Sequence, residues 1–196
     1  MKQTNNVLIE DLLDRTRLLL NEISTFQDLS DGQLNWKSNP DSWSILECLE
    51  HLNRYGDFYL PRFEKSIQQA ALVSPNTDFK SGWLGNYFAQ LMVPENGAIK
   101  KMNTLKDMNP TGSQLTRDVM NRFEEQQKIV LDLLGKARKV NLSKSKTDTM
   151  LSKFIVLRLG DVFRFVIYHN QRHVSQAGNV LKAMQKSEHN LQHQAS

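Results

Sequence analysis

Within RFVIYHNQRHVSQAGNVL, residues 164–181, two histidines stand four positions apart inside an apolar run. Val162, Val166, His169, His173, Ala177, Val180 and Met184 recur every three or four positions, the spacing of a buried helical stripe. Both imidazoles are therefore expected to face the interior. At i and i+4 their Cβ atoms lie about 5–6 Å apart on one helix face. Two ring nitrogens placed this way can meet one divalent ion. His51, in ECLEHLNRYGDFYL, is the other histidine set in a strongly periodic helix, and at the edge of its inward arc it is the candidate third ligand, from a facing helix. Three imidazoles leave coordination positions for water or substrate, the feature that separates an open catalytic site from a closed structural one.

The competing reading is a pair of neutral core histidines, each hydrogen-bonded to a partner. Burying two imidazoles side by side without compensation is costly, and charging both adds repulsion. A shared ion removes both penalties. His189 and His193, in KSEHNLQHQAS, repeat the same step in a polar tail that lacks any apolar stripe and is expected to fray. Spacing alone thus carries little weight, and neither tail histidine is expected in the site.

Other side chains near these histidines have two readings each. Glu47, one turn before His51, is a candidate to orient it; Ser44 followed by Glu47 also spells a capping box. Arg172 is a candidate to meet an anionic group of a substrate, or it runs along the stripe with its head in water. Cys48 is expected to be a small core residue rather than a ligand or nucleophile. Tyr55, Tyr59, Trp83 and Phe88 are candidates to line an apolar pocket, at least half of them being plain core instead.

Four long helical patterns must position these residues. The first covers about 4–28, with Leu8, Leu12, Leu19, Ile23 and Phe26 on one face, and stops at LSDGQL. The second opens at Ser44 and carries Ile45, Cys48, Leu49, Leu52, Tyr55, Tyr59 and Phe63; Pro61 is expected to kink it, since the spacing continues to Ile67. Residues 72–112 read as irregular, punctuated by SPNTDF, VPENG and MNPTGS, with a short helix at 82–92. The third long helix runs from about Ser113 to Lys136 with Leu115, Val119, Phe123, Val130 and Leu134 inward, and the last from about Asp161 to Lys186. The fold class implied is all-α: a four-helix bundle with a long crossover connection and short extra helices. A single domain over residues 1–186 and a polar tail over 187–196 are expected.

Composition bounds the function. The chain of 196 residues is 39% hydrophobic and 23% charged, in the range of a globular domain with a substantial core. No run approaches the roughly 20 apolar residues of a membrane span, and the acidic turn of MKQTNNVLIEDLLDR does not suit a signal peptide. The single cysteine excludes an intrachain disulfide and fits a cytoplasmic location. A net charge of +4 raises the question of nucleic acid. The densest basic run, KARKVNLSKSKTDTMLSKF at 136–154, has no aromatic platform, zinc-finger spacing or helix-turn-helix around it, and reads as a solvated loop. Neither a nucleic-acid nor a membrane partner is expected.

With DSWSILECLEHLNRYGDFYLPRFEKSI at 41–67 and LGDVFRFVIYHNQRHVSQAGNVL at 159–181, the chain resembles the DinB-like superfamily. Within it, the chain looks most like the branch of YfiT-type metal-dependent hydrolases and thiol S-transferases. The resemblance spans about Leu34 to Met184, includes Trp83–Gly85, and rests on the combination WS-x-x-E-x-L-x-H with H-x-x-R-H. It implies a four-helix bundle with a crossover, and a metal triad falling on His51, His169 and His173. Zinc or nickel is the implied ion. The implied partners are a small-molecule electrophile and a low-molecular-weight thiol such as bacillithiol, mycothiol or glutathione, and the implied assembly is a homodimer. A metal held by three imidazoles lowers the pKa of a bound water or thiol, supplying an anion near neutral pH. The alternative is a non-catalytic, metal-stabilised bundle that serves as a stress-response binding module.

Overall fold

A computed structural model describes residues 2–93, 103–113, 115–150 and 152–194. Strand β1 (Lys2–Thr4) leads into helix α1 (Asn5–Ser24), whose start is fixed by the Thr4 hydroxyl accepting from the Val7 N–H at 3.3 Å. A one-turn helix, α2 (Asp31–Leu34), follows. Helix α3 (Ile45–Gln68) opens on the expected capping box: Ser44 Oγ accepts from the Glu47 N–H, and the Glu47 carboxylate accepts from the Ser44 N–H. It runs on through Pro61 to Gln68. Strand β2 (Asp78–Lys80) pairs antiparallel with β1. Helix α4 (Trp83–Met92) and a 3-10 turn (Lys106–Met108) occupy the long connection to α5 (Asp118–Ala137). Hairpin β3–β4 (Lys146–Thr149 and Ser152–Arg158) then feeds α6 (Leu159–Gln194).

The four long helices are α1, α3, α5 and α6. Helix α3 packs against α5 and α6, and α1 packs against the same two, so α1 and α3 lie on a diagonal. Consecutive long helices across a diagonal are what a crossover connection produces. The stripes expected from spacing are buried: Leu8, Leu12, Leu19 and Ile23 of α1, Leu49, Leu52 and Phe63 of α3, Phe123 and Leu134 of α5, Val162, Val166 and Ala177 of α6. No helix among the described residues is long and apolar enough to cross a membrane.

Three differences from the expected elements have plain physical causes. The third helix starts at Asp118 rather than near Ser113; Gly112, at φ +82°, turns the chain ahead of it, and the Thr116 hydroxyl accepts from the Asp118 N–H at 3.4 Å at its start. The last helix continues to Gln194 through residues expected to fray; after Gly178 its sequence holds no Gly or Pro and is rich in Gln, Lys and Leu, all good helix formers. The basic run is not a plain loop but contains β3, in which Thr147 and Thr149 are buried while Lys146 and Asp148 are exposed. Of the expected punctuation, VPENG falls outside the described residues apart from Val93.

The core has two apolar halves. One gathers Leu8, Leu12, Tyr59, Phe63, Leu134 and Phe163; the other gathers Leu19, Ile23, Leu49, Met120, Phe123 and Ala177. Between them lies a belt of buried polar side chains. Asn53 donates to the Val119 carbonyl at 2.9 Å, Gln126 donates to Asn53 O and Asp57, and Asn170 donates to Gln127 at 3.2 Å. His51 and His169 sit in the same belt, two residues before Asn53 and directly before Asn170 on their helices.

Helix α4 is pinned to α6 at a fully buried ion pair. Arg164 donates to Asp161 at 3.2 Å and to Asn86 at 3.1 Å, while Asp161 accepts from the Gly82 N–H at 2.7 Å and from the Ser81 hydroxyl. Gly85 is packed so tightly on this pair that a Cβ there would meet the Asp161 Cβ at 2.5 Å. In an open helix Gly→Ala gains about 1 kcal/mol. Here the sign reverses: Gly85→Ala is expected to cost about 1–3 kcal/mol in urea unfolding, the usual penalty of overpacking.

Candidate metal centre

Helices α3 and α6 bring His51, His169 and His173 together, with one nitrogen from each ring within 4.8 Å of the others. His51 Nε2 and His169 Nε2 face each other at 3.2 Å. The rings of His51 and His173 meet edge to face at 4.5 Å between centroids, and those of His169 and His173 at 4.6 Å. All three residues are buried, with His173 the most open at 9%.

The outer nitrogens are held by groups that the sequence did not reveal. His51 Nδ1–H donates to the Met108 carbonyl at 2.7 Å, which leaves Nε2 with its lone pair inward. His173 Nδ1–H donates to Gln176 Oε1 at 2.9 Å, with the same result. His169 Nδ1 is buried and has no partner among the described residues. The strap that supplies Met108 is itself tied down: Arg54 donates to Asp107 O and Asn109 O, and Trp43 Nε1 donates to Thr111 Oγ1 at 3.1 Å. The Trp43 ring lies 4.9 Å from that of His51 and 5.6 Å from that of His173, closing one side of the cluster.

Burial sets the charge state. Desolvation, followed by the Arg54 charge, lowers His51 from 6.5 to about 4 despite its bond to Met108. Desolvation, then the neighbouring His51 and Arg172, lowers His173 to about 3. His169 is pushed well below 6.5 by burial and by His173, His51 and Arg172. All three are therefore neutral at pH 7, the form that binds metals.

The cluster opens on a cavity of about 680 Å³. Trp43, Tyr55, Phe88, Leu91, Met92 and Phe165 make its walls mainly apolar, with Asn39, Asn103 and Asn179 among the polar positions. Arg172 is 4% exposed on this wall, and burial holds its guanidinium below the ordinary value.

The expected neighbours fall out differently. Glu47 does not orient His51: its carboxylate is taken by the cap of α3 and by Lys37 Nζ at 2.7 Å, and the partner of His51 is Met108. Cys48 is fully buried in the core, and burial raises its thiol. Tyr55 and Phe88 line the cavity, as expected. Tyr59 is core, its hydroxyl accepting from the Met150 N–H at 3.3 Å. Trp83 is 84% exposed and does not reach the cavity. His189 and His193 lie exposed near the far end of α6, away from the triad. Of the residues that sequence reasoning missed, Gln176 had a readable signal, because it stands at i+3 from His173 on the same helix. The Met108 carbonyl had none.

The sequence profile of the DinB superfamily matches residues 12–177, which takes in all three histidines. The chain belongs to the DinB superfamily. The DinB fold is also reflected in a solved structure described as "YfiT from Bacillus subtilis is a probable metal-dependent hydrolase with an unusual four-helix bundle topology". That chain is 12% identical and superposes with a TM-score of 0.50, over 90% of this chain and 87% of the other. At this identity the likeness concerns the fold. No curated protein matches the chain.

The lowered pKa values set a pH dependence for protein stripped of metal. Below 6.5 the unfolded chain takes up protons on these histidines, whereas folded His51 stays neutral down to about 4 and folded His173 to about 3. The unfolded state then binds more protons, so stability falls as the pH drops below about 6.5 and is insensitive to these groups above it. Urea unfolding of chelator-treated protein between pH 7.5 and 5 is expected to show this slope, and His169→Leu to flatten it.

Proposed function

We propose that this DinB protein is a divalent-metal-dependent enzyme whose ion is held by His51, His169 and His173. It joins a low-molecular-weight thiol to a small apolar electrophile bound in the adjoining cavity. The observation that carries this reading is the convergence of three neutral imidazoles at the wall of an apolar-sided cavity.

The residues fit an ion. With metal–nitrogen bonds of about 2.0–2.1 Å, two ligands in tetrahedral array stand about 3.4 Å apart. The two facing Nε2 atoms are 3.2 Å apart, and Met108 and Gln176 leave the inner nitrogens of His51 and His173 free to bind. Without an ion only one of the two facing nitrogens can carry a hydrogen, the other accepting it. Zinc suits this donor set, and nickel is the second candidate. Such an ion supplies Lewis acidity, lowering the pKa of a thiol or water that it holds.

The protein's own side chains do the rest. Trp43, Tyr55 and Phe165 exclude water and hold the apolar body of the electrophile, and Arg172 places positive charge where a carboxylate-bearing thiol approaches. A thiol is favoured over water as nucleophile for a chemical reason. A free thiol ionises near pH ~8.5 and needs little help, whereas water at about 15.7 needs a far larger shift. Helical zinc hydrolases add a carboxylate general base, but Asp41 is the only carboxylate among the described residues lining this cavity.

The test is conjugation of monochlorobimane with bacillithiol, mycothiol, glutathione or cysteine by tag-free protein, before and after chelation. Metal-dependent conjugation is expected, abolished in His169→Ala together with its bound metal. Hydrolysis of simple esters without thiol transfer would move the nucleophile to water. Bound metal with neither activity would leave the metal-stabilised binding bundle. Gln176→Leu and Arg54→Met, which loosen the groups behind His173 and His51, are expected to weaken metal affinity by about 10–100-fold in chelator competition.

A further inference from the structure

The chain has five histidines, and the triad uses three of them. The remaining two, His189 and His193, are exposed on the last turns of α6 and face each other there. Their Nε2 atoms are 2.9 Å apart, with ring centroids at 4.3 Å and planes at 86°.

We propose that His189 and His193 form a second metal site, a surface two-imidazole chelate that takes Cu(II) or Ni(II). The argument rests on the bite. Two nitrogens bound at about 2.0–2.1 Å to one ion stand about 2.9 Å apart at a right angle and about 3.4 Å apart at the tetrahedral angle. The tail pair matches the right angle, which square-planar Cu(II) and six-coordinate Ni(II) adopt. The triad, at 3.2 Å, lies nearer the tetrahedral value. The affinity order of divalent ions points the same way, with Cu(II) above Ni(II) and Zn(II).

The two sites are independent. His169 and His189 are separated by about 30 Å along α6 at roughly 1.5 Å per residue. At roughly 100° per residue the two pairs project from nearly opposite faces. Among the described residues the tail site has two protein ligands, both exposed, so it binds more weakly than the buried site. A chelate spanning one helical turn also staples the end of α6, where no apolar stripe holds it. Cys48, the sole thiol, is fully buried and does not compete for copper.

The test uses the full chain without a tag, with the triad first saturated by Zn(II), then titrated with Cu(II) by calorimetry and electron paramagnetic resonance. One additional equivalent of Cu(II) is expected, with hyperfine structure from two imidazole nitrogens. In His189→Ala and His193→Ala that equivalent and its spectrum are lost, while thermal unfolding and the tightly held Zn(II) stay unchanged, because both side chains are exposed. Retention on a Ni(II) column is expected to disappear with them. The proposal is overturned if wild type binds no second equivalent, or if both variants bind it with the same spectrum. Either failure leaves the triad untouched, since its Zn(II) content is measured in the same samples.

Discussion

Three uncharged imidazoles, turned toward one another in the middle of a helical bundle, are the constraint around which this protein is arranged. Each ring is buried, burial keeps each from taking up a second, charging proton at neutral pH, and at the closest approach the Nε2 atoms of His51 and His169 stand within hydrogen-bond distance. Such an arrangement is stable only if the surroundings fix each ring and something satisfies the inward nitrogens. The chain provides the fixing. The Met108 carbonyl and the Gln176 amide take the outer hydrogens of two rings, and Trp43 packs across both.

The fold serves that cluster at several removes. Setting α1 and α3 on a diagonal places α3 directly against α6, so one histidine of α3 can meet two of α6. The long connection from α3 to its neighbour α5 passes the cluster, and its Asp107–Ser113 portion is held over the site by Arg54 and Trp43. The polar belt between the two apolar halves gives the histidines neighbours of their own kind: Asn53, Gln126, Gln127 and Asn170 are hydrogen-bonded in pairs. The Asp161–Arg164 pair secures α4, whose Phe88 and Met92 complete the cavity wall.

Much of this was legible before any coordinates. The stripes of α1, α3, α5 and α6 specified a helical bundle because their periodicity is strong and uninterrupted, and His169 and His173 could be placed inward from the same periodicity. What escaped did so for identifiable reasons. Helix α4 is apolar on both faces, so its sequence did not say that Trp83 and Tyr87 look out while Gly85 and Ala89 look in. Strand β4 runs Phe, Ile, Val, Leu without alternation, and β3 is four residues long, too short for a periodic signal. Glu47 had two plausible partners, Ser44 one turn before it and His51 one turn after, and the cap took it. A backbone carbonyl such as that of Met108 leaves no mark in a sequence.

The central claim is that the three imidazoles share one ion. Anomalous diffraction from crystals of tag-free protein, collected above and below the absorption edge of the metal found in solution, addresses it directly. The account predicts a single strong peak within bonding distance of nitrogens from His51, His169 and His173. A cluster empty in metal-replete crystals, with its rings hydrogen-bonded to one another or to water, would contradict it.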